Sequence, residues 1–338
     1  MLRRKGCVIG NFGYKKRQLD GQTVKTRVFY SSISNFHKCN FIDIGDGVTL
    51  KNVFFLLFLP FFCNKVYFLP GKRILRVYSP FLVLFKCLFL IDIHYIVIGG
   101  WITDLARKNR LLCFILKYFN SVSCELKSMV KDLRHLGIKS FYLANFRNCT
   151  EDLDVAQNDI LRLYFLSRVI PEKGVFTAIE LLHEIKRLAP DIVCQLDIYG
   201  PNLLNGNDLQ LFNSFCIDDV SYKNEISPEF ILSTINQYDF LVFPTIYHGE
   251  GFPGCIVDAK MACTSVICTD WKYNSEIIIE GVDGFVVGVN DFVRQAAFKI
   301  IDAYRENKIL ELKKMSYESS KEFLADHALP TWLKEINE

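Results

Sequence analysis

Short apolar runs alternate with amphipathic stretches along the chain, and this alternation predicts strands followed by helices. Cys7-Val-Ile-Gly reads as an opening strand, Gly10 to Gln22 as a basic loop and Thr23 to Ile33 as a helix. Phe41-Ile-Asp-Ile and Lys65-Val-Tyr-Phe-Leu-Pro read as strands, the second closed by a Pro-Gly turn before a helix over Ile74 to Leu90. His94-Tyr-Ile-Val-Ile is a continuous apolar run of the kind central parallel strands show, and it ends at Gly99-Gly100-Trp101. Leu105 to Tyr118 reads as one helix, Ser121-Val-Ser as a strand, Glu125 to Leu136 as a helix closed by Gly137, and Phe141-Tyr-Leu-Ala-Asn as a last strand.

Arg147 to Asp159 is polar and reads as a hinge, after which the pattern restarts. Strands are expected at Leu161–Leu166, Cys194–Gly200, Phe240–Pro244, Ser265–Thr269 and Gly284–Val287. Helices are expected at Gly174–Leu188, Pro228–Ile235 and Gly254–Ala262, with a helix-rich remainder. Strand–helix alternation implies parallel sheets covered on both faces. The chain therefore predicts two doubly wound α/β domains, residues 1–150 and 151–321, with a ligand at the carboxyl ends of the strands in a cleft between them. A final helix near 322–338 is placed as packing back on the first domain.

A length of 338 residues suits two domains, and 50% hydrophobic against 23% charged residues excludes a disordered chain. The 12 cysteines show no C-x-x-C pair, so they read as buried thiols of a reducing cytoplasm rather than a disulfide scaffold. The first apolar run stops at Gly10, too soon for a signal-peptide core. Apolar peaks lie at 53–63 and 81–98. The second contains Lys86, Asp92 and His94, and reads as a buried helix followed by a buried strand rather than a membrane span.

Charge changes the picture more. Residues 1–150 hold 24 Lys or Arg against 7 Asp or Glu, a balance of +17, whereas the remainder holds 16 against 30, a balance of −14. The first half is thus suited to an anionic partner: a membrane surface, a phosphate-rich substrate or nucleic acid. No nucleic-acid-binding motif accompanies the charge, which disfavours the last.

Two constellations carry candidate chemistry. Arg168 and Lys173 follow the strand 161–166 and precede a helix N-terminus, an arrangement suited to a diphosphate. Glu250 lies in the glycine-rich run Gly249-Glu-Gly-Phe-Pro-Gly, and Asp258 lies eight residues on, read as two turns into the next helix. Carboxylates accept pairs of hydroxyl donors, and the glycines let backbone approach a ligand closely.

On these residues the stretch from Arg168 to Val287 resembles the donor-binding domain of glycosyltransferase family 4, which adopts the GT-B fold. Met261-Ala-Cys, Ser275-Glu-Ile-Ile and Gly281-Val-Asp-Gly-Phe-Val-Val extend the match. The resemblance implies that Arg168 and Lys173 hold a nucleotide-sugar diphosphate, that Glu250 contacts the transferred sugar and that Asp258 binds ribose. It further implies that the loop Gly251-Phe252-Pro253-Gly254 offers backbone donors to the sugar and phosphate, and that Gly200 also belongs to the donor site. Retention of anomeric configuration without a metal or other cofactor is part of the same expectation. Asp258 departs from the family's usual glutamate by one methylene, which predicts a looser ribose contact. His94 reads as structural because it precedes its strand, leaving His248, beside Glu250, as the donor-side histidine.

The first half is similar to surface-polysaccharide enzymes of that family, through Leu19-Asp-Gly-Gln-Thr-Val-Lys-Thr-Arg, Leu69-Pro-Gly-Lys-Arg, Tyr95-Ile-Val-Ile-Gly-Gly-Trp and Leu143-Ala-Asn-Phe. This implies acceptor loops at Gly21, Gln22, Gly99, Gly100 and Trp101. A lipid-linked glycan acceptor and a peripheral place at the inner face of the cell membrane follow, with Lys15, Lys16, Arg17, Lys72 and Arg73 near lipid phosphates. A nucleotide-sugar epimerase of the same fold, distinguished by needing no acceptor, and an inactive relative are the alternatives.

Overall fold

A computed structural model describes residues 5–14, 21–47, 49–148 and 153–338 of the chain. The basic-loop residues Lys15, Lys16 and Arg17 and the marker residues Leu19 and Asp20 lie outside the described residues. The chain divides into two units, Met1–Asn148 with Glu322–Glu338, and Cys149–Lys321.

In the first unit β1 (Gly6–Gly10), α1 (Gly21–Phe36), β2 (Cys39–Asp43), α2 (Leu50–Phe62), β3 (Lys65–Leu69) and α3 (Lys72–Phe89) lead to β4 (Asp92–Ile96). Helices α4 (Ile102–Lys108) and α5 (Arg110–Lys117), β5 (Ser121–Cys124), α6 (Lys127–His135) and β6 (Ser140–Tyr142) complete its sheet. All pairs are parallel, in the order β2-β1-β3-β4-β5-β6. This is the flavodoxin-like sequence of strands, in which the order reverses between β1 and β3.

The second unit contains β7 (Leu161–Leu166), α7 (Val175–Leu188), β8 (Cys194–Tyr199), α8 (Gly206–Phe215), β9 (Val220–Tyr222) and α9 (Ile231–Ile235). There follow β10 (Phe240–Phe243), α10 (Gly254–Met261), β11 (Ser265–Thr269), α11 (Asn274–Ile277), β12 (Gly284–Val287), α12 (Phe292–Arg305) and α13 (Ile309–Ser320). The sheet order is β12-β11-β10-β7-β8-β9. Counted within the unit this is the 3-2-1-4-5-6 order of dinucleotide-binding sheets, reversing between β7 and β10. The strands are Val-, Ile-, Leu- and Phe-rich without alternation because helices cover both faces. The C-terminal α14 (Ala325–Asn337) belongs to the first unit, where Leu329, Trp332 and Ile336 enter the core with Phe29, Tyr67 and Ile96.

Several sequence expectations need correction. The predicted helix over Leu105 to Tyr118 is broken at Asn109, whose extended backbone and carboxamide cap α5 by accepting the Leu112 N–H at 3.0 Å. The apolar peak at 53–63 is the helix α2, whose nearly unbroken apolar run leaves no polar face to mark it as a helix, and α8 and β9 lie outside the expected elements. The helix before β4 is buried on one face only: Leu75, Tyr78, Leu82 and Phe85 of α3 enter the core, whereas Val77, Phe81, Leu84 and Leu88 are exposed. The polar stretch before β7 is tied to the second unit from residue 153 onward. Leu153, Asp154 and Ala156 offer their carbonyls to Cys263, Asn236 and Lys313.

His94 lies inside β4, paired with Tyr67 of β3 and Ser121 of β5, rather than ahead of its strand. Its Nδ1 is 2.8 Å from Ser121 Oγ, and its ring lies against Tyr67 and Trp332. Burial, reinforced by the positive charges of Lys65, Lys86 and Lys139, pushes its pKa down to about 3. The unfolded chain, with an ordinary histidine value near 6.5, therefore takes up this proton first on acidification. Stability from neutral His94 is present above that value and is lost as pH falls towards 3. Between pH 6.5 and 5 the protein is expected to lose about 2 kcal/mol relative to a His94→Gln variant. Parallel urea titrations at the two pH values check this, and equal acid slopes would contradict it.

Candidate functional site

The order reversal in the second sheet brings together two loops that are distant in sequence, the one after β7 and the one after β10, whose strands pair through Phe240 with Leu163. After β7 the chain passes Arg168, makes a single turn over Pro171–Lys173 and reverses at Gly174, with φ +85°, before α7 begins. A Cβ at Gly174 would lie 2.3 Å from the Pro244 carbonyl oxygen, so only glycine lets these two loops touch. The Ile246 N–H donates to the Glu172 carbonyl at 2.9 Å and continues the contact. Gly200, at the end of β8, presses equally close to the Ser167 carbonyl and so sets the course of the Arg168 segment.

This packing places Lys173 Nζ 2.6 Å from Glu250 Oε2, with both side chains buried. Thr245 Oγ1 donates to the same carboxylate oxygen at 3.0 Å, and the Glu250 N–H donates to the Tyr247 carbonyl. The Tyr247 ring lies 4.9 Å from Lys173 Nζ and 5.0 Å from the Arg168 guanidinium carbon, so two cations share one aromatic neighbour. Arg168 is exposed, and no carboxylate among the described residues pairs with it. The loop is held from beneath by Trp271, whose Nε1 donates to the Tyr247 carbonyl, and by Thr269, whose hydroxyl donates to the Thr245 backbone carbonyl.

Gly251, Phe252 and Pro253 are buried and lead into α10 at Gly254. The helix carries no side-chain cap at its N-terminus, the end where its dipole favours an anion. Asp258 lies one turn into α10, not two, because the helix begins only at Gly254, and it is buried. Two residues on, Lys260 anchors the helix: its ammonium donates to Asp283 Oδ2 at 2.7 Å and to the Ile277 carbonyl at 2.8 Å. His248 is exposed and contacts the Trp271 ring edge-on.

Of the predicted residues, Arg168, Lys173 and Glu250 converge on Tyr247, with His248 and the run Gly251 to Asp258 continuing the same loop and helix. Gly200 lies in the same unit, against the segment that carries Arg168, and the other five predicted residues belong to the first unit. Gly21 and Gln22 open α1, while Gly99, with φ +88°, Gly100 and Trp101 connect β4 to α4. A buried pair missed in the sequence joins these two places. Lys25 Nζ of α1 donates to Glu125 Oε1 at 2.6 Å and to the Val97 carbonyl, while Glu125 Oε2 accepts the Gly99 N–H. Burial holds the Lys25 pKa below its ordinary value, offset by Glu125. Thr245 and Tyr247 were also passed over; a hydroxyl directly after a buried strand was the available signal.

Comparison with known proteins bears on the family and the fold. Residues 155–322 match the family model described as glycosyl transferases group 1. The GtfA subunit of the UDP-N-acetylglucosamine–peptide N-acetylglucosaminyltransferase of Streptococcus pneumoniae serotype 4 is 27% identical over 180 residues, covering 51% of this chain and 34% of that protein. The match thus spans about a third of the length of that curated relative. Anabaena HepE in complex with UDP-glucose superposes with a TM-score of 0.70 at 11% identity, over 98% of this chain and 99% of that one. Sucrose-phosphate synthase from Thermosynechococcus elongatus gives 0.73 at 14% identity, over 99% of each chain. Pneumococcal GtfA with UDP and GlcNAc gives 0.63 at 17%, over 81% of this chain and 56% of that one. At such identities the likeness establishes the fold, the two-domain α/β architecture called GT-B.

Replacing Gly174 by alanine is expected to cost at least about 1–2 kcal/mol for the left-handed backbone alone, plus the displacement of Pro244. Urea denaturation measures the loss, and amide exchange should show faster opening of Tyr247 to Glu250. Unchanged stability and exchange would contradict the loop contact.

Proposed function

Because the chain belongs to the glycosyl transferases group 1 family, we propose that it transfers a sugar, with retained configuration, from a nucleoside-diphosphate sugar to a lipid-linked saccharide. The reading places this transfer in surface-polysaccharide assembly, at the inner face of the cell membrane. The observation that carries it is the convergence of Arg168, Lys173 and Glu250 on Tyr247 at the order reversal of the second sheet. Ligands of open parallel sheets bind at such reversals.

In this reading the diphosphate lies across Arg168 and Lys173, with the positive end of α10 beside it. The guanidinium offers paired donors, and the Lys173 ammonium has three, of which the Glu250 contact uses one. Glu250, fixed by Lys173 and Thr245, orients the sugar hydroxyls, and Asp258 receives the ribose. As the bond from the anomeric carbon to the phosphate oxygen breaks, the cations stabilise the charge gathering on the diphosphate. The acceptor oxygen bonds to the anomeric carbon from the same face, and its proton passes to the departing phosphate. The arrangement asks nothing of a metal ion. The bound UDP and UDP-glucose of the HepE and GtfA structures make uridine donors the first to test. The +17 balance of residues 1–150 supports an acceptor presented on phosphate at a lipid surface.

Purified protein incubated with uridine, guanosine and adenosine diphosphate sugars in EDTA is expected to release one nucleoside diphosphate slowly. Arg168→Ala, which removes an exposed side chain, should lower that release by about 2–4 kcal/mol of transition-state stabilisation. Near-normal release by the variant would remove Arg168 from the chemistry. Conversion of a donor to its isomer without hydrolysis would replace transfer by epimerisation.

A further inference from the structure

One side of the first unit carries far more exposed hydrophobic surface than a free protein needs. On α2, Phe54, Phe58 and Phe61 recur at helical spacing and contact one another in series, and Phe61 is 72% exposed. On α3 the exposed Val77, Phe81, Leu84 and Leu88 form a single stripe, and Phe89 at its end lies 6.1 Å from Phe61. Helix α5, packed on α3, adds the exposed Leu111 and Phe114. The stripe is therefore continuous from α2 to α3, and contiguous patches of this kind mark interaction surfaces.

The charges on these helices have one sign. Leu50–Phe62, Lys72–Phe89 and Arg110–Lys117 together contain seven Lys or Arg and no Asp or Glu. Arg73 sits one turn before Val77 on the α3 stripe, so a cation terminates the apolar row. At the N-terminal ends of α3 and α5 opens a cavity of about 680 Å³, lined by Lys72, Arg76, Lys108 and Arg110, with Trp101 and Asp104. Among the described residues no helix is long and apolar enough to cross a membrane. An apolar row ending in cations is instead the pattern of a helix lying in the plane of a bilayer interface.

We propose that the α2–α3–α5 face docks on an anionic lipid bilayer, the phenylalanines and leucines entering the acyl boundary while lipid phosphates occupy the Lys72–Arg76–Arg110 cavity. The bilayer is favoured over a protein partner by charge complementarity: a face without a single carboxylate in its helices matches a uniformly negative surface. The inference rests on the lipid-linked acceptor reading for its purpose, since docking brings the unit to a membrane-held substrate, but not for its test.

The test is co-sedimentation of the full chain with vesicles of phosphatidylglycerol and phosphatidylcholine, against pure phosphatidylcholine. Binding to the anionic vesicles is expected, weakened at least about tenfold both by the triple variant Phe58→Ser/Phe61→Ser/Leu88→Ser and by Lys72→Ala/Arg76→Ala. All five side chains are exposed, and unchanged circular dichroism and thermal melting confirm that the variants fold. Acceptor-free donor hydrolysis in the triple variant should equal that of the parent chain. Absence of binding to anionic vesicles, or equal binding by the triple variant, overturns the proposal. So does a dimer that this variant dissolves in the absence of vesicle binding, which would make a second copy the occupant. Vesicle binding without hydrolysis of any donor leaves the docking intact and removes the transfer reading.

Discussion

The contact between Lys173 and Glu250 governs the second unit. A carboxylate taken out of water must find a cation and further donors, and Glu250 finds Lys173 and the Thr245 hydroxyl. Removing one partner of such a pair typically costs about 3–5 kcal/mol. Its effect here is geometric as well: 77 residues separate the partners, and the bond fixes the loop after β7 on the loop after β10. The parallel sheet makes this affordable, because every strand delivers its loop to the same edge. Gly174 and Gly200 then allow backbone contacts that a Cβ would forbid, and Trp271 and Thr269 lock the loop from the neighbouring strand. What results is a rigid carboxylate beside an exposed guanidinium, with little left to reorganise on binding an anion.

The first unit solves a similar problem in a different topology. Its strand order reverses between β1 and β3, and its buried ion pair, Lys25 with Glu125, secures the loop after β4 through the Gly99 amide. Among the described residues, positive charge gathers instead on α3 and α5 and in the cavity at their ends. Buried charge shapes the loops in both units, while exposed charge sets the partner.

Much of this was legible in the sequence. Runs such as Leu161–Leu166 and Phe240–Phe243 announced central strands because burial on both faces removes alternation. Arg168 and Lys173 are a weak signal on their own; the glycine-rich run around Glu250 and the family resemblance of the stretch from Arg168 to Val287 single them out. Less was legible where pairing across the sheet decides. His94 reads as a residue before a strand until Tyr67 and Ser121 pair with it, and Lys25 gave no sign of its partner 100 residues away. Asn109 was hidden in an otherwise helical period, although its capping carboxamide breaks the helix. For α2 and α3 the rule that apolar means buried held on one face only: Leu56, Leu59, Leu75, Leu82 and Phe85 are buried, whereas Phe58, Phe61, Phe81, Leu84 and Leu88 are turned outward.

The most direct test of the account is a crystal structure of the protein with a nucleoside diphosphate that it binds. The account predicts diphosphate oxygens within hydrogen-bond distance of Arg168 and Lys173, with the ribose at Asp258 and Glu250 still held by Thr245. A nucleotide bound elsewhere, with Arg168 and Lys173 untouched, would contradict it.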